Sequence, residues 1–236
     1  MSLHNTTHPG GPGPEELVPS RYALQVGEIE VLVISDGALP FPPTTLGTNA
    51  DSADLAAWLD DLRQTPDKFH WPVNVIVVRS GGQTVLVDSG VGAEFPDKPG
   101  TGRLALRLDA AGIDPASVTD VVLTHLHVDH VGGLLGDRLN GRLRPGVPIH
   151  VAAAEVEFWA SPDFSRNTFA GVQHVLRSAA TRFLDKYRSQ LRPFEEEHEV
   201  APGVVVRRTG GHTPGHSVVR MASGGERLTL DRKSVV

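Results

Sequence analysis

Alternation of apolar and polar residues predicts two β-hairpins in the N-terminal part of the chain. Strands are expected over 21–26 and 29–35, joined by a Gly-Glu turn, and over 73–79 and 84–87, joined by Gly81 and Gly82. Short glycine-containing connections between such runs are typical of hairpins. Since side chains alternate across a strand, each strand can present one face to a core.

Apolar residues at helical spacing lie between these hairpins and after them. Asp51 or Ser52 is expected to cap a helix whose apolar positions are Leu55, Leu59 and Leu62. A second helix is predicted over 104–111, ending at Gly112. Residues 155–190 are predicted to be mostly helical, and core packing explains their apolar stripe. That stripe comprises Val172, Val175, Leu176, Ala179, Phe183 and Tyr187, and His174 lies off it towards solvent.

Length and composition favour one α/β domain over residues 21–230. The chain has 236 residues, of which 39% are hydrophobic and 21% charged, as in ordinary globular proteins. Strands are also expected over 121–123 and 149–152. No apolar run approaches the roughly 18 residues that would span a bilayer, so no membrane partner is expected.

The first twenty residues are predicted to be a disordered leader. Residues 1–16 are rich in Gly, Pro, His and Thr and lack the basic-then-apolar pattern of a secretory signal. A cytoplasmic location is therefore expected. The absence of cysteine excludes disulfides and thiolate metal ligands.

The densest group of chemically active side chains is at residues 125–130, which read HLHVDH. An extended backbone projects His125 and His127 to one side, and Asp129 and His130 are expected to follow on a turn. Imidazole and carboxylate together suit Zn²⁺, Mn²⁺, Fe²⁺ or Co²⁺. The buried strand before this run supports a metal site, and Gly132 and Gly133 are expected to let the chain turn away tightly after it.

A second motif lies at residues 210–217, which read GGHTPGHS after a strand-like run. Two glycines and a proline favour a sharp loop, from which His212 can reach a metal. The two motifs together resemble those of the metallo-β-lactamase superfamily, over roughly residues 23–230. The resemblance implies an αββα sandwich with a metal centre at the edge between two sheets.

The resemblance also implies roles for individual residues. His125, His127 and His212 are expected to bind one metal ion, and Asp129 and His130 a second one. Asp88, at the end of an early strand, is expected to orient these ligands through hydrogen bonds. His216 is expected to stabilise its loop or to support a ligand.

A narrower resemblance points to the N-acyl-homoserine lactonase and methyl-parathion-hydrolase-like branch. It rests on the long segment before Asn74, the Trp-Pro-Val-Asn run at 71–74 and the aromatic insertions. Phe158, Trp159 and Phe164, together with Trp71, are candidates for an apolar substrate pocket. The aromatic residues around Trp71 could equally form a dimer contact, so a homodimer stays possible.

These features predict a hydrolase with two divalent metal ions, most simply zinc. A metal-bound hydroxide would attack a small ester, lactone or phosphoester, and Asp129 would help to transfer protons. The net charge of −6 provides no basic face for nucleic acid. A small-molecule substrate is therefore expected.

The C-terminal residues depart from the family pattern. The family has a strand ending in Gly-Asp after the second motif, whose aspartate bridges the metals, and later a last histidine ligand. Asp231 follows the strand-like run 227–230 but lacks the preceding glycine. Residues 231–236, DRKSVV, match the translation of a sequencing adapter. We therefore expect an artefactual tail and a C-terminally truncated sandwich.

Two other functions are compatible with these residues. One is a mononuclear non-haem iron oxygenase of the same fold, similar to persulfide dioxygenases. The other is a non-catalytic metal-binding fragment. Asp129 and His130 favour the hydrolase, because both would serve a second metal ion.

Overall fold

Twelve strands in the described part of the chain form two β-sheets. The computed structural model describes residues 21–45, 50–61, 69–98, 100–164, 173–231 and 234–235. The predicted leader over 1–20 lies outside these residues. The first sheet has seven strands, adjacent in chain order: β1 (Arg21–Val26), β2 (Ile29–Phe41), β3 (Phe69–Ser80), β4 (Gln83–Val87), β5 (Asp120–Val122), β6 (Ile149–Ala152) and β7 (Leu191–Phe194).

The two sheets differ in strand direction. In the first, β1 to β4 are antiparallel, and β4 to β7 are parallel. The second sheet is antiparallel throughout. Its five strands are β8 (Glu197–Ala201), β9 (Val204–Arg208), β10 (Ser217–Ser223), β11 (Glu226–Asp231) and β12 (Ser234–Val235).

Both predicted hairpins are confirmed, but the second strand is longer than predicted. The pairing of β2 with β3 continues to Phe41 opposite Phe69, after a shift of register between Ser35 and Gly37. Gly37 has a φ of 120°, and a Cβ there would lie 1.8 Å from the Gly100 carbonyl oxygen. This bulge interrupts the period of two, so the alternation in the sequence stops before the strand does.

Helices connect and cover the strands: α1 (Ser52–Asp61), α2 (Leu104–Ala110), α3 (Val128–Leu135), α4 (Asp137–Asn140), α5 (Ala153–Ala160) and α6 (Gln173–Tyr187). Asp51 caps α1, because its Oδ1 accepts a hydrogen bond of 2.8 Å from the backbone N–H of Ala53. None of the helices in these described ranges is long and apolar enough to cross a membrane.

The predicted stripe on α6 is confirmed in its second half. Ala179, Phe183 and Tyr187 are buried, and His174 is exposed as expected. Val175 is 38% exposed, so its predicted burial was wrong. The helix buries this face most completely in the half where α3 and α5 pack against it. Leu62 and Val172 lie outside the described residues.

The two sheets pack face to face through an apolar layer. Val78 and Val87 on the first sheet contribute to it, as do Val206 and Val219 on the second. Since alternate residues point to opposite faces, Val77 and Leu86 lie on the other side of the first sheet, in a second core that includes residues of α2, α3, α5 and α6. On the outer face of the second sheet, Arg207 and Arg220 are exposed.

The parallel strands of the first sheet bring the motif residues together. Asp88 directly follows β4, the HLHVDH run follows β5, and α5 follows β6. The carboxyl ends of neighbouring parallel strands meet at one edge of a sheet. The loop between β9 and β10 reaches the same edge, where the Ser217 N–H donates to the Thr124 carbonyl at 2.9 Å.

Candidate metal centre

Three imidazoles converge where the two sheets meet. Each of His125, His127 and His212 offers one ring nitrogen, and these three atoms all lie within 4.8 Å of one another. Nδ1 of His127 is 3.1 Å from Nε2 of His212. Two lone pairs at this separation are unfavourable unless a proton or a cation lies between the rings, so this arrangement suits a metal ion.

The buried member of this group is His125. Its Nδ1 lies 3.1 Å from the Thr124 hydroxyl oxygen, whereas its buried Nε2 has no hydrogen-bond partner in the described part of the chain. Burial lowers the pKa of His125 well below its usual value, and the neighbouring histidines lower it further. A neutral imidazole with an unsatisfied buried nitrogen is what a divalent cation requires, so the residues present fit a metal ion.

Asp129 and His130 lie in the first turn of α3, and His127 precedes this helix directly. The expectation of a simple turn was therefore wrong: the chain enters a helix, whose first turn presents both side chains. The Asp129 Oδ2 atom is 3.4 Å from the His130 Nε2 atom. The two predicted ligands of a second ion are thus neighbours, and the His130 and His125 ring centroids are 4.0 Å apart.

Asp88 lies behind these ligands and is buried. Its Oδ1 accepts hydrogen bonds from the Thr124 N–H at 2.9 Å and from the Thr124 hydroxyl at 3.1 Å, and its Oδ2 is 2.7 Å from Nδ1 of His130. Burial by itself lowers the pKa of His130. The carboxylates of Asp88 and Asp129 outweigh this effect and raise the pKa to about 9. With Nδ1 turned towards Asp88, the Nε2 atom of His130 points towards Asp129.

The glycine pair after the first motif has a different role from the predicted one. Gly132 and Gly133 lie inside α3 and not in a turn. A Cβ on Gly132 would lie 2.1 Å from the Val91 carbonyl oxygen, and one on Gly133 would lie 2.0 Å from the Ser89 carbonyl oxygen. The two glycines therefore allow α3 to pack directly against the loop that carries Asp88.

His216 closes the second motif. Its carbonyl oxygen accepts hydrogen bonds from the N–H groups of Thr209 and Gly210, and its Nδ1 lies 2.9 Å from the Thr209 hydroxyl. The ring is buried, and its centroid is 5.5 Å from that of His125. Nε2 of His216 lies 3.5 Å from Oδ1 of Asp231, which is half-exposed at the end of β11 and is not part of the three-histidine group.

Aromatic side chains border the centre on one side. The buried Trp159 ring is edge-on to His127, with centroids 5.7 Å apart, and it contacts Phe158 and Phe164. Trp71, which was grouped with them in the sequence, packs against Phe41 and Phe69 where β2 pairs with β3.

Two polar residues next to the site were missed by the sequence analysis. Thr124 links Asp88 to His125 and His130 through its hydroxyl group. Glu155 is completely buried in α5, directly under both motifs. The available signal for Glu155 was an acidic residue within a largely apolar segment, AAEVEFWA, immediately after a buried strand. A buried carboxylate needs several hydrogen-bond donors, and for Glu155 only the folded chain shows where these donors are.

A family described as the metallo-beta-lactamase superfamily matches residues 70–230. The chain belongs to this superfamily. The predicted membership is thereby confirmed. The predicted likeness to lactonases is seen as well, in a curated relative and in a solved structure. An N-acyl homoserine lactonase from Bacillus sp is 29% identical over 143 residues, which are 59% of this chain and 48% of the lactonase. The match thus spans about half the length of that relative.

Further proteins match over different extents. A ribonuclease Z from Mycobacterium avium (strain 104) is 43% identical over 63 residues, which are 27% of this chain and 18% of that enzyme. Among solved structures, AidC, a dizinc quorum-quenching lactonase in complex with a product, superposes with a TM-score of 0.79 at 22% identity. The superposition covers 89% of this chain and 73% of AidC. It shows that this metallo-β-lactamase-superfamily chain shares the fold of AidC.

Proposed function

We propose that this metallo-β-lactamase-superfamily protein is a metal-dependent hydrolase of small esters, lactones or phosphoesters, with lactones as the first candidates. One observation carries the proposal: the buried Nε2 of His125 lacks a hydrogen-bond partner among the described residues and lies in a group of three histidines with metal-ligand spacing. The neutral state of His125 adds support, because only the neutral ring can donate a lone pair to a cation.

Two metal positions fit the side chains. His125, His127 and His212 would hold one ion, and Asp129 with His130 would contribute to the second. When bound, two divalent cations supply a hydroxide nucleophile at neutral pH and a Lewis acid that polarises the scissile group. Zinc suits these nitrogen and oxygen ligands best, and Mn²⁺, Fe²⁺ and Co²⁺ are also compatible with them.

The protein side chains orient and protect this chemistry. Asp88 fixes the ring of His130 through Nδ1 and so directs Nε2 towards the second position. Asp129 is half-buried beside His130, where its carboxylate can accept a proton from the nucleophile or pass one to the leaving group. The buried Trp159 ring packs edge-on against one side of His127.

Lactones are proposed first because the wall beside His127 is apolar and aromatic. Phe158 and Phe164 are partly exposed and pack on the buried Trp159, and such an apolar wall suits the acyl chain of a small amphiphilic lactone. The Bacillus relative is an N-acyl homoserine lactonase. The net charge of −6 disfavours an RNA substrate, despite the local similarity to ribonuclease Z.

Hydrolysis assays of the metal-loaded protein test this proposal. The protein is stripped with chelator, reloaded with Zn²⁺, Mn²⁺, Co²⁺ or Fe²⁺, and assayed on N-hexanoyl homoserine lactone, an aryl ester, a phosphotriester and RNA. We expect metal-dependent lactone turnover, which H125A reduces by about 10³-fold or more, whereas H174A, which alters an exposed histidine, retains it. Oxygen consumption with bound iron and no hydrolysis would instead support the oxygenase. A metal-loaded protein without either activity would contradict the proposal.

A further inference from the structure

A single buried carboxylate connects the two histidine motifs. Glu155 lies in α5, and its side chain is completely inaccessible to solvent. Its Oε1 accepts hydrogen bonds from the Leu126 N–H at 2.9 Å and from the Trp159 indole N–H at 2.7 Å. Its Oε2 accepts from the Thr213 hydroxyl at 2.6 Å and from the Gly215 N–H at 3.0 Å. Each oxygen therefore binds two donors.

The positions of these donors explain why the contact matters. Leu126 lies between His125 and His127, so Oε1 fixes the backbone segment that carries two of the histidines. Thr213 directly follows His212, so Oε2 fixes the loop that carries the third. The two segments are about 85 residues apart in the sequence, and one rigid carboxylate holds both at a defined separation.

The packing around Glu155 adds to this restraint. A Cβ on Gly215 would lie 2.4 Å from the Glu155 Cβ and 2.3 Å from the Glu155 N atom, so the second motif lies directly on α5. The four donors are neutral N–H and O–H groups, and hydrogen bonds of this kind to an ionised acceptor are shorter and stronger than neutral ones. A carboxylate buried this deeply is stable only while all its donors stay in place.

We propose that Glu155 is a positioning residue that fixes His212 relative to His125 and His127, and that it thereby sets the metal affinity of the three-histidine site. Its four hydrogen bonds go to the donors named above and not to the imidazoles themselves. This inference rests on the proposed metal-dependent function, but it concerns metal binding and can be tested without turnover.

The hydrogen-bond donors around Glu155 predict which of the two motifs loses a contact when glutamine replaces it. A glutamine side chain has one oxygen acceptor and one NH₂ donor. An NH₂ group facing Leu126 and Trp159 would oppose two fixed N–H donors. Facing Thr213 and Gly215, it would oppose only the Gly215 N–H, because the Thr213 hydroxyl can rotate and accept. The amide nitrogen should therefore face the second motif, which would lose the hydrogen bond from the Gly215 N–H and restrain His212 less tightly.

The test measures metal binding by E155Q and by E157Q, a matched control on the exposed face of the same helix. Zinc affinity is measured by competition with a chromophoric chelator, and ligand geometry by the d–d absorption spectrum of the Co²⁺-loaded protein. We expect E155Q to bind zinc about 10- to 100-fold more weakly, as for loss of other groups that orient metal ligands, and to show an altered cobalt spectrum. E157Q should match the wild type in both measurements.

A second pair of variants keeps the test decisive if E155Q does not fold. T213V removes the hydroxyl donor to Oε2, whereas T213S retains it. We expect T213V to weaken zinc binding and T213S to restore it. Wild-type zinc affinity and cobalt spectra in folded E155Q, or in T213V, would overturn the inference. A wild-type protein that binds zinc but hydrolyses nothing would overturn only the proposed function, and one that binds no zinc would overturn both.

Discussion

Asp88 combines an unfavourable backbone conformation with a central position in the hydrogen-bond network. Its φ of 62° makes it the single non-glycine residue with positive φ among the described residues. Aspartate tolerates this left-handed region better than most residues, but at some energetic cost. Here the conformation directs the carboxylate at Thr124 and His130. Such local strain is typical of residues that orient a functional site.

The substitution D88N tests this role. Asparagine keeps the size of the side chain and its tolerance of positive φ, but its amide can accept fewer of the three hydrogen bonds. We expect zinc affinity to fall about 10- to 100-fold. The exposed Asp109, which pairs with Arg142, provides the control, because D109N should leave zinc affinity unchanged. Equal affinities for D88N and D109N in a chelator competition would contradict the assigned role.

Asp36 is a second buried carboxylate, and it predicts a pH dependence of stability. It accepts hydrogen bonds from the N–H groups of Val91 and Leu104, both at 2.7 Å. Burial raises its pKa from 3.8 to about 6, although these hydrogen bonds oppose the shift. Because the folded protein binds this proton more tightly than the unfolded chain, the contribution of Asp36 to the free energy of unfolding falls as pH rises from about 4 to about 6.

This pH effect can be measured with D36N. The shift corresponds to about 3 kcal/mol. We therefore expect the free energy of unfolding of the wild type, relative to that of D36N, to decrease by up to this amount between pH 4 and pH 6 and to stay constant above it. Urea unfolding at a series of pH values measures the difference. A difference that is independent of pH over this interval would show that Asp36 does not titrate as described.

The sequence predicted the site residues that belong to dense motifs, and Asp88 through the family resemblance, but it missed other isolated residues. The HLHVDH run and the GGHTPGHS loop identified His125 and His212 because several ligand-type residues lie close together in the chain. Glu155 and Asp36 could not be identified in this way. Each is a single acidic residue, and its role depends on donors that only the folded chain brings near.

At the scale of secondary structure, α3 holds the motif against the neighbouring loop. Ser89 supports this contact from the loop side, since its N–H donates to the His130 carbonyl at 2.8 Å and its hydroxyl donates to the same atom at 2.7 Å. Gly132 and Gly133 permit the close approach. The helix therefore fixes Asp129 and His130 relative to Asp88.

The substitution G133A tests this packing. Within a helix, alanine is normally favoured over glycine by about 1 kcal/mol. At Gly133 the new Cβ would lie 2.0 Å from the Ser89 carbonyl oxygen, so we expect a net destabilisation of about 2 kcal/mol or more. G136A is the control, because no atom lies within 4 Å of a Cβ there and φ is negative. A G133A protein as stable as G136A in urea unfolding would contradict this account of the glycine pair.

Strands were easier to predict than their ends or the helix after the motif. Alternation located β1, β3 and β4 because each has one face in the layer between the sheets. The extension of β2 beyond Ser35 was not predictable, since it depends on the Gly37 bulge and on pairing with β3. The start of α3 was also missed, because histidine and aspartate are weak helix formers and the glycine pair resembles a turn.

At the scale of the whole molecule, metal binding should couple the two sheets. The three histidines come from the edge of the first sheet and from a loop of the second, so an ion bound by all three would connect them. A ligand that binds only the folded protein stabilises it by an amount that grows with the logarithm of the ligand concentration once this exceeds the dissociation constant. Zinc at about 100 times its dissociation constant would add about 2.7 kcal/mol.

Thermal unfolding with and without zinc measures this coupling. For a chain of this size the added stability corresponds to an increase in Tm of about 5–10 °C. We expect this increase for the wild type and for H174A, and a clearly smaller one in H125A and in H212A, which each lack a ligand of the three-histidine site. An equal increase in H125A would show that zinc binds elsewhere.

The most direct test of the central claim is the zinc content of the purified protein after equilibrium dialysis, measured by inductively coupled plasma mass spectrometry. The account predicts two ions per chain for the wild type and one for the D129A/H130A double variant, which keeps the three-histidine site. Two ions in that double variant, or none in the wild type, would contradict the assignment of the metal centre.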